Sequence, residues 1–183
     1  MALPDQIIAN QLARDETLQH IQQAYCIENW SAGYFDINAK GHIIVRPGRD
    51  DPRWVDLKEL VDYLLKEKAM QLPLLIRFPQ LLTGQLRTLA EAYQAAIAQF
   101  GYTGQHYPVF PMKVNPRREV VEEFLRDGYQ RRVGLECGSK SELYAAIAQE
   151  QAPGTLTLCN GFKDEAFVRT ALLGVQAGKR VTI

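Results

Sequence analysis

The spacing of apolar positions changes character twice along this chain. Over Gln6 to Ala24, residues Ile7, Ile8, Leu12, Leu18 and Ile21 recur at helical spacing and predict an N-terminal helix. Tyr34-Phe35-Asp36-Ile37-Asn38 and His42-Ile43-Ile44-Val45-Arg46 are short β-prone runs flanking Ala39-Lys40-Gly41, the pattern of a hairpin. Pro47 to Pro52 is a polar, proline-bounded linker. Asp56 then stands as N-cap of a helix carrying Leu57, Leu60, Val61, Leu64 and Leu65 on one face.

From Leu72 onward the pattern predicts alternating strand and helix. Strands are expected at Leu74 to Phe78, Tyr107 to Val114, Arg132 to Glu136 and Thr155 to Cys159, with Val181-Thr182-Ile183 opening a fifth. The first helix between them is capped by Thr83 and carries Leu86, Leu89, Tyr93, Ile97 and Phe100. The second carries Val120, Val121, Phe124 and Leu125 and stops at Gly128. Ser139 and Glu142 form a capping box for the third, which runs to about Glu150. Asp164 caps the fourth, with Phe167, Val168, Leu172 and Val175, which ends at Gly178.

Short connections in such an alternation imply a parallel sheet built from right-handed crossovers. Pro111 cannot donate to a ladder, so the second strand either bulges there or stops pairing before Lys113. At 183 residues the chain falls short of the roughly 250 that a complete (β/α)8 barrel needs. It closes as a strand opens, which would leave an unpaired edge, so a piece of a longer protein is expected. A small doubly wound domain is the competing reading.

Composition narrows the function classes. The 21 basic and 21 acidic side chains cancel, without a long run of one sign, which disfavours a nucleic-acid arm or membrane-surface helix. No apolar run approaches membrane-spanning length and no secretory signal pattern opens the chain, so a cytoplasmic location is expected. Cys26, Cys137 and Cys159 are odd in number and widely spaced, as in reduced thiols. His20, His42 and His106 are scattered and suggest no metal cluster. No Gly-x-x-x-x-Gly-Lys or Gly-x-Gly-x-x-Gly run supports nucleotide binding.

The candidate chemistry sits at strand ends. Lys113 lies in Tyr107-Pro108-Val109-Phe110-Pro111-Met112-Lys113-Val114-Asn115, an apolar run where burial would lower its pKa and make it a carbonyl-seeking nucleophile. A strand-end lysine that bends out to water is the plain alternative. Pyridoxal phosphate is the usual biological carbonyl partner of such an amine. Glu136 and the Cys159-Asn160-Gly161 segment end the next two strands, so three strands deliver polar groups to one rim. Glu136 also has a bland reading as an ion-pair partner of Lys113 or Lys140, and Asn160-Gly161 as an ordinary turn.

These segments resemble a known family. Phe110-Pro111-Met112-Lys113-Val114-Asn115 is similar to the cofactor-lysine motif of biosynthetic arginine decarboxylases. Gly134-Leu135-Glu136-Cys137-Gly138-Ser139-Lys140-Ser141-Glu142-Leu143 and Cys159-Asn160-Gly161-Phe162-Lys163-Asp164 resemble their next two strand-turn-helix segments. Trp30, Gly33 to Asn38 and Gly41-His42 resemble the N-terminal hairpin, and Phe78-Pro79-Gln80 the end of the first barrel strand. The resemblance runs from about Tyr25 to Ile183 in colinear order.

It implies an alanine-racemase-like partial (β/α)8 barrel, the first four βα units over 56–183, preceded by a helix and hairpin over 1–55. It implies conversion of L-arginine to agmatine and CO2 for polyamine synthesis, pyridoxal phosphate as cofactor, magnesium, and a homo-oligomer. Lys113 would hold the cofactor as a Schiff base, Glu136 would lie near it and help position or protonate it, and Asn160 would bind the cofactor. Pro116 stands where the family usually has glutamine, and Cys26 and Ser31 where glycines are common. The family's ring-stacking histidine, phosphate loop and substrate-binding groups come later than Ile183, so the isolated chain is expected to be inactive. The alternatives are another decarboxylase of this fold, acting on diaminopimelate, ornithine or carboxynorspermidine, a non-catalytic pyridoxal-phosphate barrel, or a silent partner subunit.

Overall fold

The structure is a computed structural model that describes residues 16–128, 132–149 and 151–183. The chain divides into two compact units, Met1–Leu81 and Leu82–Ile183. The division falls later than the 55/56 boundary expected from sequence, because the helix after Asp56 packs on the hairpin sheet.

In the first unit, α1 is helical over 16–24; the predicted helical positions before it lie outside the described residues. A short α2 (Ile27–Ser31) leads into β1 (Phe35–Ile37) and β2 (Ile43–Val45), which pair antiparallel with Phe35 opposite Val45. The predicted hairpin forms, with Gly41 at φ +79 supplying the left-handed turn residue. A third strand, β3 (Val55–Asp56), pairs antiparallel with β2 and was not expected, since two residues are too few to show an alternation. Asp56 ends β3 and caps α3 (Leu57–Lys66): its Oδ1 accepts the Glu59 N–H at 3.0 Å.

Leu74 to Phe78 forms no strand. An apolar run of that length becomes a strand only where a neighbour completes its ladder, and Leu75 is 72% exposed. Helix α4 (Pro79–Gln99) begins at Pro79, four residues before the expected Thr83 cap, with proline at the first helical position where its missing N–H costs nothing.

The second unit carries a four-stranded parallel sheet of β4 (Val109–Pro111), β5 (Gly134–Cys137), β6 (Leu156–Cys159) and β7 (Arg180–Thr182) in that spatial order. Helices α5 (Arg118–Gly128), α6 (Lys140–Ala148) and α7 (Glu165–Gln176) connect them. A doubly wound sheet reverses its order at a switch point. This order follows the chain, as in a barrel wall.

The register explains the core. Phe110, Leu135, Thr157 and Val181 are level with one another, and Cys137 is level with Cys159. Their side of the sheet meets the helices: Leu135, Cys137, Leu143, Ala146, Cys159, Phe167 and Ala171 form one buried cluster with Met112, Val121 and Leu125. Burying one such side chain contributes about 1.5–3 kcal/mol. The alternate positions Pro111, Glu136, Leu158 and Thr182 are also level and face the other way.

Apart from α4, helix starts follow the predicted caps, with one shift inside the capping box. Asp164 Oδ1 accepts the Phe167 N–H at 2.8 Å. Ser139 Oγ accepts the Glu142 N–H at 3.3 Å, but Glu142 Oε2 reaches back to Gly138 N at 2.7 Å rather than to Ser139 N. The box is thus one residue wider than expected, and it ties the turn after β5 to its own helix.

Candidate functional site at the strand ends

The C-terminal ends of β4, β5 and β6 bring Lys113, Glu136 and Asn160 to one edge of the parallel sheet. Pairing on β4 stops at Pro111, level with Glu136, and Met112 N adds one last bond to Glu136 O at 3.0 Å. Val114 N then bonds Pro111 O at 3.1 Å, closing a turn. Of the two outcomes that Pro111 allowed, pairing ends before Lys113 instead of bulging. Lys113 therefore stands in the turn.

That placement corrects the burial argument. The Lys113 side chain is 61% exposed, so the amine is not enclosed by the apolar run around it. The buried partner is Glu136, whose side chain is 7% exposed. Lys113 Nζ lies 4.0 Å from Glu136 Oε1, close enough for attraction and too far for a hydrogen bond. Both carboxylate oxygens of Glu136 are buried without a hydrogen-bond partner. The alternative partner, Lys140, is taken by Asp164 at 2.5 Å.

Asn160 joins the rim mainly through its backbone. Its N–H donates to Cys137 O at 2.8 Å, continuing the β5–β6 ladder, and its Oδ1 accepts the Gly161 N–H at 2.8 Å. Cys137 and Cys159 are buried, as their bland reading holds. Burial, with Cys159, Glu142 and Glu136 nearby, pushes the Cys137 thiol up to about 12. Burial also raises the Cys159 thiol, against the opposing Lys163 charge.

The donor set fits a ligand that carries an aldehyde. An accessible primary amine stands beside a buried carboxyl that lacks a donor, so a bound group supplying a donor would satisfy Glu136 while reacting with Lys113. Pyridoxal phosphate has that chemistry.

One grouping was not legible in the sequence. His42, Asp56 and Glu59 bring ligand atoms within 4.8 Å of one another. Among the described residues it is the one trio that has metal-ligand chemistry, and the rim residues are not part of it. All three already have partners. Lys40 Nζ binds Glu59 at 2.6 Å, while Asp56 Oδ2 receives His42 Nδ1 at 2.9 Å and Asn38 Nδ2 at 2.8 Å. Only strand pairing reveals it, because the cap residue ends a strand that the pattern did not show.

A parallel α/β sheet with a lysine and a buried carboxyl at its C-terminal edge defines a lysine-bearing partial barrel of the kind that holds carbonyl cofactors. The family model described as pyridoxal-dependent decarboxylase, pyridoxal binding domain, matches residues 86–179, which include Lys113, Glu136 and Asn160. The chain belongs to that family. It is 42% identical over 165 residues to a biosynthetic arginine decarboxylase of Phocaeicola vulgatus, covering 90% of this chain and 26% of the relative. It is 41% identical over 175 residues to that of Deinococcus radiodurans, covering 96% and 26%. The crystal structure of the biosynthetic arginine decarboxylase of Campylobacter jejuni superposes with a TM-score of 0.75 at 29% identity, over 86% of this chain and 25% of that one. The chain thus spans about a quarter of the length of these relatives.

Proposed function

We propose that this chain is the cofactor-lysine segment of an arginine decarboxylase, which converts L-arginine to agmatine and CO2. The observation that carries the reading is the Lys113–Glu136 pair at adjacent strand ends, inside the segment that matches the pyridoxal binding domain. Relatives named as biosynthetic arginine decarboxylases along 90% and 96% of the chain support arginine as the substrate over ornithine or diaminopimelate.

In this reading Lys113 Nζ is the atom that attaches pyridoxal phosphate, and its exposure leaves it open to the cofactor and the incoming amine. Glu136 stands 4.0 Å from the amine on the buried side, where it positions the amine or passes a proton near it. Asn160 borders the site through the turn it closes with Gly161. When bound, pyridoxal phosphate supplies an electron sink for the pair released as CO2 departs.

Further parts of the proposal rest on family resemblance: a magnesium requirement, a role in spermidine synthesis, a homo-oligomeric assembly and a cytoplasmic location. No helix among the described residues is long and apolar enough to cross a membrane. No step is assigned to magnesium.

The test uses the complete gene product. Purified with pyridoxal phosphate, it is expected to show a visible absorption band and to release CO2 from arginine faster than from ornithine or diaminopimelate. Lys113→Ala is expected to lose the band, with no recovery in excess cofactor. A Lys113→Ala protein that keeps the band would overturn the lysine assignment, and a preference for another amino acid would overturn the substrate.

A further inference from the structure

We propose that Gly161 is a positioning residue for the Lys113 site. Because it lacks a side chain, the turn after β6 lies directly on the turn after β5 and holds Glu136 beside Lys113. The inference rests on the assignment of Lys113 as the cofactor-bearing amine.

The contact is between backbones. Gly161 has φ +74, and a Cβ there would overlap the Gly138 carbonyl oxygen and stand 3.1 Å from its carbon. No flexible side chain is present to yield. Gly138 cannot retreat freely, because its N–H is held by Glu142 Oε2 at 2.7 Å. Gly161 is held from its own side by Lys163 Nζ on its carbonyl at 2.9 Å and Asn160 Oδ1 on its N–H at 2.8 Å. The Lys140–Asp164 ion pair at 2.5 Å joins the starts of α6 and α7 just beyond.

The two turns connect to the lysine through backbone bonds alone. Asn160 N bonds Cys137 O at 2.8 Å, and Met112 N bonds Glu136 O at 3.0 Å. Gly161 therefore presses on the residue two positions after Glu136, and Glu136 is bonded to the residue before Lys113. A Cβ at 161 displaces Gly138, and that shift reaches Glu136 through two covalent links. The Glu136 carboxylate has no hydrogen bond of its own to hold it in place against that shift. Misplacing a reacting group by about 1 Å can cost on the order of 10²-fold in rate.

Gly154 is the matched control. Its φ is +77, but an added Cβ there meets nothing within 4 Å. Gly154→Ala thus introduces the same backbone strain without the contact. Gly161→Asn separates the two effects from the other direction, since asparagine tolerates the left-handed region while still adding a Cβ.

The experiment uses the complete gene product. Each variant is incubated with pyridoxal phosphate and reduced with borohydride. The label at Lys113 is quantified by peptide mass spectrometry against Lys58 and Lys66, and a thermal midpoint is recorded separately. Labelling at Lys113 is expected to fall about tenfold in Gly161→Ala and Gly161→Asn, with the visible band weakened, and to stay near wild type in Gly154→Ala at a comparable loss of midpoint. Wild-type labelling in a folded Gly161 variant overturns the inference, as does an equal loss in Gly154→Ala. If neither Gly161 variant folds while Gly154→Ala does, the residue acts in folding and the positional role is overturned. A wild-type protein unlabelled at Lys113 would instead sink the lysine assignment beneath it.

Discussion

Glu136 Oε1 lies 4.0 Å from Lys113 Nζ, yet neither oxygen of that buried carboxyl accepts a hydrogen bond. A buried polar group without a partner costs about 1–3 kcal/mol. The attraction to a largely exposed lysine offsets under about 1 kcal/mol of that. The position therefore costs stability, a cost that the proposed cofactor site would account for.

Glu136→Met is accordingly expected to leave stability unchanged or to raise it by about 1–3 kcal/mol, while capture of pyridoxal phosphate at Lys113 falls. Urea denaturation and borohydride trapping measure the two effects independently. A large destabilisation would mean that Glu136 is part of the structural core and not a strained site residue.

Asp56 predicts an acid transition in the first unit. Burial pushes its carboxyl up, but the Glu59 N–H, His42 and Asn38 together outweigh burial and hold it down to about 2. A carboxyl depressed in the folded state contributes stability that is fully present above its unfolded value of about 3.9. That stability is lost as pH falls toward about 2. Asp56→Asn keeps a capping oxygen and removes the titration. Tryptophan fluorescence from Trp54 should therefore show a flatter stability profile between about pH 4 and pH 2 in the variant. An unchanged profile would place the acid sensitivity elsewhere.

Phe167 and Phe162 should respond oppositely to truncation. Phe167 is 1% exposed at the centre of the second unit's core, whereas Phe162 is 86% exposed on the turn after β6. Phe167→Ala is expected to cost about 3–5 kcal/mol, a large share of the roughly 5–15 kcal/mol of a whole domain. Phe162→Ala should stay within about 0.5 kcal/mol. Equal denaturation midpoints would show that Phe167 does not anchor α7 in the core.

Thiol titration separates the cysteines. Cys26 is exposed, while Cys137 and Cys159 are buried with raised thiols, Cys137 to about 12. Ellman's reagent at mildly alkaline pH should react quickly with one thiol in the native protein and with all three after denaturation. Fast reaction of Cys137 in the native state would contradict the packing of β5 against its helices.

Much of the second unit could be read from the chain because its signals are local. The Asp164 cap, the helical spacing of Val121 and Leu125, and the strand signals at 132–136 and 155–159 each act over a few residues. Leu74 to Phe78 misled for the complementary reason: apolar composition permits a strand, but only a neighbouring ladder makes one. Strand β3 was missed because two residues carry no period.

The candidate site divides in the same way. The sequence determined which groups are present, their order, and that Lys113, Glu136 and Asn160 each lie at or just past the end of a strand, because residue type and local periodicity are properties of neighbours along the chain. It also carried the family's motifs. Tertiary structure decided which group is buried. Parallel register sets Pro111 level with Glu136 and the β4 ladder ends where the turn begins, so the lysine side chain is exposed and the carboxyl is enclosed. It also decided that Gly161 meets Gly138, residues more than twenty positions apart with no local signal linking them. Burial and backbone approach are set by what other strands bring alongside, and no pattern within a single segment encodes that.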